Sequence, residues 1–194
     1  MAEKDRLKWD AKYRSDVTLL QREEPAKFVE AWWHFAGGGR ALDLACGGGR
    51  NALYLAKKGF TVDALDISPV AVEALKARAG GLPLRAKAVD LDRYTPPPGI
   101  YDLAVMANFL DRDLIRRTAE ALKPGALFIV ETYMKHPDNE KEGNPDFLLD
   151  AGELVRLFDE GYQVVEYREF FNDDEGERYR MRKQAIAARK RTRG

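Results

Sequence analysis

Apolar and polar positions repeat along the chain with two alternating periods, near four for helices and two for strands. Residues 3–16 are polar and charged, with Trp9 and Tyr13 four apart on one helical face. Pro25 opens a second helix over 26–35, whose core face is Phe28, Trp32 and Phe35, and Gly37-Gly38-Gly39 ends it. His34 reads as a surface residue. From residue 40 a short apolar strand runs into a glycine turn, and a helix over 51–58 follows with Leu53 and Ala56 facing inward. Residues 61–66 form the second strand; Ser68 caps and Pro69 starts a helix that runs to Ala79. Strands are expected at 84–89, 101–106 and 126–132, with a helix over 111–122 before the Lys123-Pro124-Gly125 turn. Pro96-Pro97-Pro98-Gly99 is a stiff turn within the domain. A helix begins at Gly152-Glu153-Leu154 and reaches Glu160-Gly161. Residues 162–171 and 179–188 then alternate as a closing antiparallel hairpin.

This order is that of an α/β fold: a single Rossmann-like domain over 1–194, a seven-stranded mostly parallel sheet with helices on both faces and a C-terminal antiparallel hairpin. Residues 1–36 form a helical cap. Residues 133–150 are polar, proline-punctuated and without periodicity, which in a compact domain marks a lid or binding loop. Composition changes this picture little. The 32 basic residues balance 32 acidic ones, so net charge argues for neither nucleic acid nor a membrane surface as partner. No apolar run approaches the ~20 residues of a spanning helix, the first residues are not those of a signal peptide, and Cys46 is the lone cysteine. Intrachain disulfides are therefore impossible and a cytoplasmic location is expected. Two histidines and one cysteine offer no metal-ligand spacing. From Arg178 onward eight basic residues occur without an acid, which reads as a solvated edge strand and tail.

The stretch Arg40 to Ala52 holds the candidate chemistry. Gly47-Gly48-Gly49 lets the backbone turn and bring its N–H groups to a ligand. Asp43 sits inside the apolar strand, where a carboxylate is costly unless partnered, so it needs a role. Asp66 closes the second strand 17 residues past Gly49, well placed to accept both hydroxyls of a ribose. Residues 47–52 also fit G-x-G-x-x-A, the dinucleotide fingerprint, so the turn alone leaves the nucleotide open.

With the acid four residues before the first glycine, the D-x-x-x-G-x-G run resembles motif I of the class I S-adenosylmethionine (SAM)-dependent methyltransferases. The family's earlier glycine is Ala45 here. The segments Gly49 to Leu55, Gly152-Glu153-Leu154 and Ala188-Arg189-Lys190 look most like the tellurite-resistance methyltransferases, and Trp9-Asp10-x-Lys12-Tyr13 resembles the segment that precedes motif I there. Phe170-Phe171 stand where those enzymes tend to carry a histidine. The resemblance implies a cofactor, SAM, held at its methionine end by Asp43, Ala45, Gly47, Gly49, Arg50 and Asn51. It implies Asp66 and Ile67 at the ribose, Asp90 and Leu91 at the adenine, Asn108 and Phe109 toward the transferable methyl group, and Trp9 and Tyr13 over the mouth. Candidate catalytic residues are Asn108, Tyr133, His136 and Arg178. The implied reaction is methyl transfer to a small-molecule acceptor, with a soft chalcogen or thiol as nucleophile because no base constellation is visible. Two other classes share parts of this site. A nicotinamide-dependent oxidoreductase would use the same turn but leaves Asp43 without a role, and a SAM-binding protein need not turn over.

Overall fold

A computed structural model describes residues 2–158, 160–173 and 176–192. Seven strands form one sheet: β1 (Arg40–Leu44), β2 (Thr61–Asp66), β3 (Leu84–Ala88), β4 (Leu103–Ala107), β5 (Leu127–Tyr133), β6 (Tyr162–Phe171) and β7 (Arg182–Lys190). Their spatial order is β3-β2-β1-β4-β5-β7-β6. Strands β1 to β5 run parallel, while β7 is antiparallel to both β5 and β6. The order reverses between β1 and β4, and ligands of open α/β sheets lie off the carboxyl ends of the strands at such a point.

The helices are α1 (Ala2–Ser15), α2 (Thr18–Gln21), α3 (Lys27–Trp32), α4 (Arg50–Lys57), α5 (Pro69–Ala79), α6 (Arg112–Ala121) and α7 (Glu153–Leu157). They cover both faces of the sheet. Phe28, Val29, Leu53, Leu55 and Leu75 pack on one face, and Leu114, Ile115, Leu154 and Phe158 on the other. Helix α5 matches the pattern in both bounds: the Ser68 hydroxyl accepts the Ala71 N–H and Pro69 fills the first turn. Helix α3 is shorter than expected, because after Trp32 the chain tightens into a 3₁₀ turn over Trp33–Ala36. Phe35 consequently points outward at 40% exposure rather than into the core. Helix α7 ends at Leu157: Phe158 is already extended, so the expected continuation to Glu160 stops there, and Asp159 lies outside the described residues. Helix α2 was not foreseen.

The basic C-terminal strand differs most from expectation. Strand β7 is not an edge: it lies between β5 and β6, and β6 is the edge. Its cations are put to use. The Lys190 ammonium donates to the carbonyls of Ala119, Glu120 and Leu122 at the C-terminal end of α6, where a cation also meets the negative end of the helix dipole. Arg189 donates to the Phe35 carbonyl and Arg191 to that of Glu160. Arg193, the last of the basic run, lies outside the described residues.

The 133–150 segment is a tied loop. Lys135 N–H donates to the Leu149 carbonyl and Leu149 N–H to that of Tyr133. Arg112 reaches across to the carbonyls of Asp146 and Leu148, and Leu148 and Leu149 are buried. Its tip meets the β6–β7 connection: Glu140 exchanges bonds with Arg180, and the Asn139 amide oxygen accepts the Arg182 N–H.

Candidate active site

The glycine turn follows β1 and leads into α4. Gly47 takes φ +53 and Gly49 φ +80, conformations that L side chains rarely adopt. Packing alone explains two of the three glycines. A Cβ on Gly48 would lie 2.5 Å from the Leu20 carbonyl oxygen, and one on Gly49 2.2 Å from Leu75 Cδ1. Gly47 instead faces the Tyr13 hydroxyl, 3.1 Å from where its Cβ would be. Helix α2 and the turn are clamped together by Arg78, whose guanidinium donates to the carbonyls of Leu20, Gly48 and Arg22.

Ala45 holds φ +56, so the left-handed geometry of the related glycine is kept without the glycine. A Cβ in that conformation costs of order 1 kcal/mol. Ala45→Gly is therefore expected to raise unfolding free energy by about 0.5 kcal/mol, the relief exceeding the added entropy of the unfolded chain. Urea denaturation of the two proteins checks this, and a destabilised variant would show that Ala45 is not strained.

Asp43 is 1% exposed, and one of its carboxylate oxygens, Oδ2, is buried without a hydrogen-bond partner. Burial pushes its carboxyl up to about 7, against the Ala52 N–H and the nearby Arg50 guanidinium, which act to lower it. Asp66 lies across the turn. Its Oδ2 accepts the Gly47 N–H at 2.8 Å and its Oδ1 the Ser68 N–H at 2.9 Å, while burial raises its pKa. The Ser68 hydroxyl donates to buried Asp10 of α1, and the Trp9 ring lies 5.6 Å from that of Tyr13, so α1 lies over the Asp66 side of the turn. Burial, followed by the charge of Asp66, drives the Tyr13 phenol up. Cys46 has its thiol raised by burial and is kept protonated.

Ile67, Pro69, Val89 and Asp90 line a cleft of about 210 Å³ with Glu3 and Arg6 of α1. Two neighbours expected at the cofactor also serve the protein's own packing. Leu91 is core, at 5% exposure, and Asn51 is a clamp: buried, its Oδ1 accepts the Ala26 N–H at 2.9 Å. Phe109 is half-buried and packs against the core cluster on this face of the sheet.

A second group of polar residues gathers at the ends of β4, β5 and β7. Asn108, just past β4, adopts φ +59 and donates from Nδ2 to Glu177 Oε1 at 3.1 Å. Lys183, 0% exposed, bridges Glu131 Oε1 at 2.9 Å and Glu177 Oε1 at 2.8 Å. Tyr133 donates to Glu177 Oε2 at 2.8 Å, and the Asn172 amide donates to the same oxygen. Burial works to raise the Glu177 carboxyl, but Lys183 and the other donors outweigh it and leave it below the usual range. The Arg50 charge acts to lower the pKa of both Asp43 and the Tyr133 phenol.

Of the four sequence candidates for catalysis, Asn108 and Tyr133 are in the cluster. The other two are outside it. The His136 ring lies against Phe171 with Nδ1 accepting the Asp138 N–H, and exposed Arg178 stacks on Tyr179. Its neighbour Glu177 turns inward instead. Glu131, Asn172, Glu177 and Lys183 were missed, although an acid and a lysine inside apolar strands give the same signal as Asp43.

Among known proteins, residues 41–125 match the family model described as a methyltransferase domain. The chain is 47% identical over 55 residues to a hemagglutinin 1 from Eikenella corrodens, covering 27% of the chain and 18% of that protein. It is 31% identical over 109 residues to a ubiquinone biosynthesis O-methyltransferase from Xanthomonas euvesicatoria, covering 52% of the chain and 45% of that enzyme. It spans less than half the length of these curated relatives. TehB from Haemophilus influenzae superposes with a TM-score of 0.68 at 25% identity, over 78% of this chain and 57% of that one. The seven-stranded sheet is the fold of these methyltransferases.

Proposed function

We propose that this chain, which carries a SAM-dependent methyltransferase domain, transfers a methyl group to a small-molecule acceptor. The observation that carries the reading is Asp43: a buried carboxylate with an unpartnered oxygen, beside a left-handed glycine turn at the point where strand order reverses. Such an oxygen fits a cationic ligand group, which suits the ammonium at the methionine end of SAM. When bound, SAM supplies a methyl group already activated by a sulfonium. The protein's part is then to align the partners and exclude water.

In this reading Asp43, Ala45, Gly47, Gly49 and Arg50 hold the methionine end, and Asp66 turns from the Gly47 and Ser68 N–H groups to the ribose. Ile67 and Asp90 flank the adenine in the cleft beside α1. Trp9 and Tyr13 cover the site, and the 133–150 loop supports the β6–β7 connection that closes the acceptor side. The nucleophile is a soft chalcogen or thiol. The likeness to TehB supports this, and so does the state of Glu177: four donors keep its carboxylate occupied, a poor position from which to take the proton of an alcohol.

Calorimetry with SAM, S-adenosylhomocysteine and NAD tests the cofactor, and NAD affinity without SAM affinity sinks the proposal. A methyl-release screen over small thiols, selenite and tellurite tests turnover and acceptor. Asp66→Ala should weaken SAM binding by about 2 kcal/mol or more, since charge-assisted bonds are worth ~1.5–3 kcal/mol each. Unchanged affinity would place the adenosine elsewhere.

A further inference from the structure

The Glu177 carboxylate is surrounded by side-chain donors drawn from four separate parts of the chain. Asn108 Nδ2 comes from the end of β4, Tyr133 Oη from the end of β5, Lys183 Nζ from β7 and Asn172 Nδ2 from the end of β6. All four lie on or next to strands, so the framework fixes them. Two donors serve each carboxylate oxygen: Asn108 and Lys183 on Oε1, Tyr133 and Asn172 on Oε2. That is a complete shell for a planar carboxylate in a buried place. Glu177 itself comes from the connection between β6 and β7, outside regular structure. The receptor is therefore built by the sheet, and its occupant is supplied by a loop.

Position gives the arrangement its meaning. The donors cluster beyond the carboxyl ends of β4 and β5, the same end of the parallel sheet from which β1 runs into the glycine turn. If the chain is a methyltransferase, as proposed above, this is the side from which an acceptor must approach. We infer that the four donors form a carboxylate seat for the methyl acceptor, and that the Glu177 side chain occupies this seat until an acceptor carboxylate displaces it. The acceptor is then a small molecule bearing a carboxylate near its nucleophile. Lys183 keeps Glu131 as a partner when Glu177 leaves, so the exchange strands no unpaired cation. It swaps one carboxylate for another of equal charge. An occupied seat also lowers apparent affinity by the fraction of time Glu177 fills it, which makes Glu177 a built-in competitor.

Formate and acetate are the probes. Glu177→Ala empties the seat, and Glu177→Gln keeps the side-chain volume but loses the charge. At constant ionic strength, saturating formate should raise the Tm of either variant by about 3 °C or more, chloride should not, and wild type should respond little. Adding Tyr133→Phe to Glu177→Ala should reduce the formate response. In turnover, 3-mercaptopropionate should be methylated in preference to its amide, and its KM should fall by about tenfold in Glu177→Ala if Glu177 fills the seat nine-tenths of the time. Absence of a formate response in both variants overturns the seat. Turnover of the acid no better than that of the amide overturns the acceptor class. Binding of S-adenosylhomocysteine, measured in parallel, separates these failures from failure of the methyltransferase reading, because the formate response does not require it.

Discussion

Lys183→Met should lower the unfolding free energy by about 3–5 kcal/mol, a large fraction of the stability of a domain this size. Lys183 and Glu131 are both 0% exposed, and the Glu177 side chain is 9% exposed. Removing the ammonium leaves two carboxylates buried in one place without their shared cation. The cost is that of the stranded charges rather than the net worth of the pairs, so it should be partly reversible. In the double variant Lys183→Met, Glu131→Gln one stranded charge is gone, and the double should be more stable than the single. Urea unfolding of wild type, single and double variants reads this directly. If the double variant is the less stable, lost packing by the lysine stem is the cause.

Acid should treat the two proteins differently. In wild type Lys183 and the other donors hold the Glu177 carboxyl below the ordinary glutamate range, despite burial. Its contribution is present above that range and fades as pH falls through the folded pKa. In Lys183→Met the same carboxyl loses its cation, and burial is then opposed only by the hydrogen bonds from Asn108, Tyr133 and Asn172, so its pKa rises relative to wild type. The variant therefore gains stability relative to wild type on acidification, and the gap between them narrows.

Local signals carried most of the fold. Strand β2 and helix α5 follow their patterns to the residue, since an apolar run closed by Asp66 and a Ser-Pro cap need no distant partner. Sheet order is different in kind. Nothing in residues 182–190 says that β7 slots between β5 and β6. The pairing puts Lys183 in the core and Lys190 at the end of α6, so a run of cations that reads as solvated is half structural. The glycine turn was legible because its residues are contiguous. The polar cluster was not, because Asn108, Glu131, Asn172 and Lys183 meet only when four strand ends do. Asn51 shows what position in sequence leaves out: beside the glycine turn it reads as a cofactor residue, and its Oδ1 also holds the Ala26 N–H, a partner 25 residues away.

Asp43→Asn should stabilise the free protein at pH 8 and weaken its hold on SAM. The Asp43 carboxyl is raised from 3.8 to about 7 by burial. For an acid whose folded pKa lies above its unfolded one, ionisation costs stability. That cost is absent below about pH 4, grows through the window from 4 to 7, and is complete above it. A shift of this size corresponds to about 4 kcal/mol at the upper end, an order-of-magnitude figure for one fully buried group. The amide can still accept the Ala52 N–H and has no charge to bury, so the variant's stability should be flatter between pH 5 and 8. Thermal unfolding across that range in both proteins tests the sign. The cofactor side follows from the same group. A ligand cation beside the unpartnered Oδ2 favours the ionised form and drives the pKa down, so binding at pH 6.5 should release a proton in wild type and not in Asp43→Asn. Calorimetry in two buffers of different ionisation enthalpy measures that proton, and affinity should fall about tenfold or more in the variant. A wild type whose stability is level from pH 5 to 8, and whose cofactor binding releases no proton, would mean that Asp43 is already partnered in solution and that the methionine end lies elsewhere.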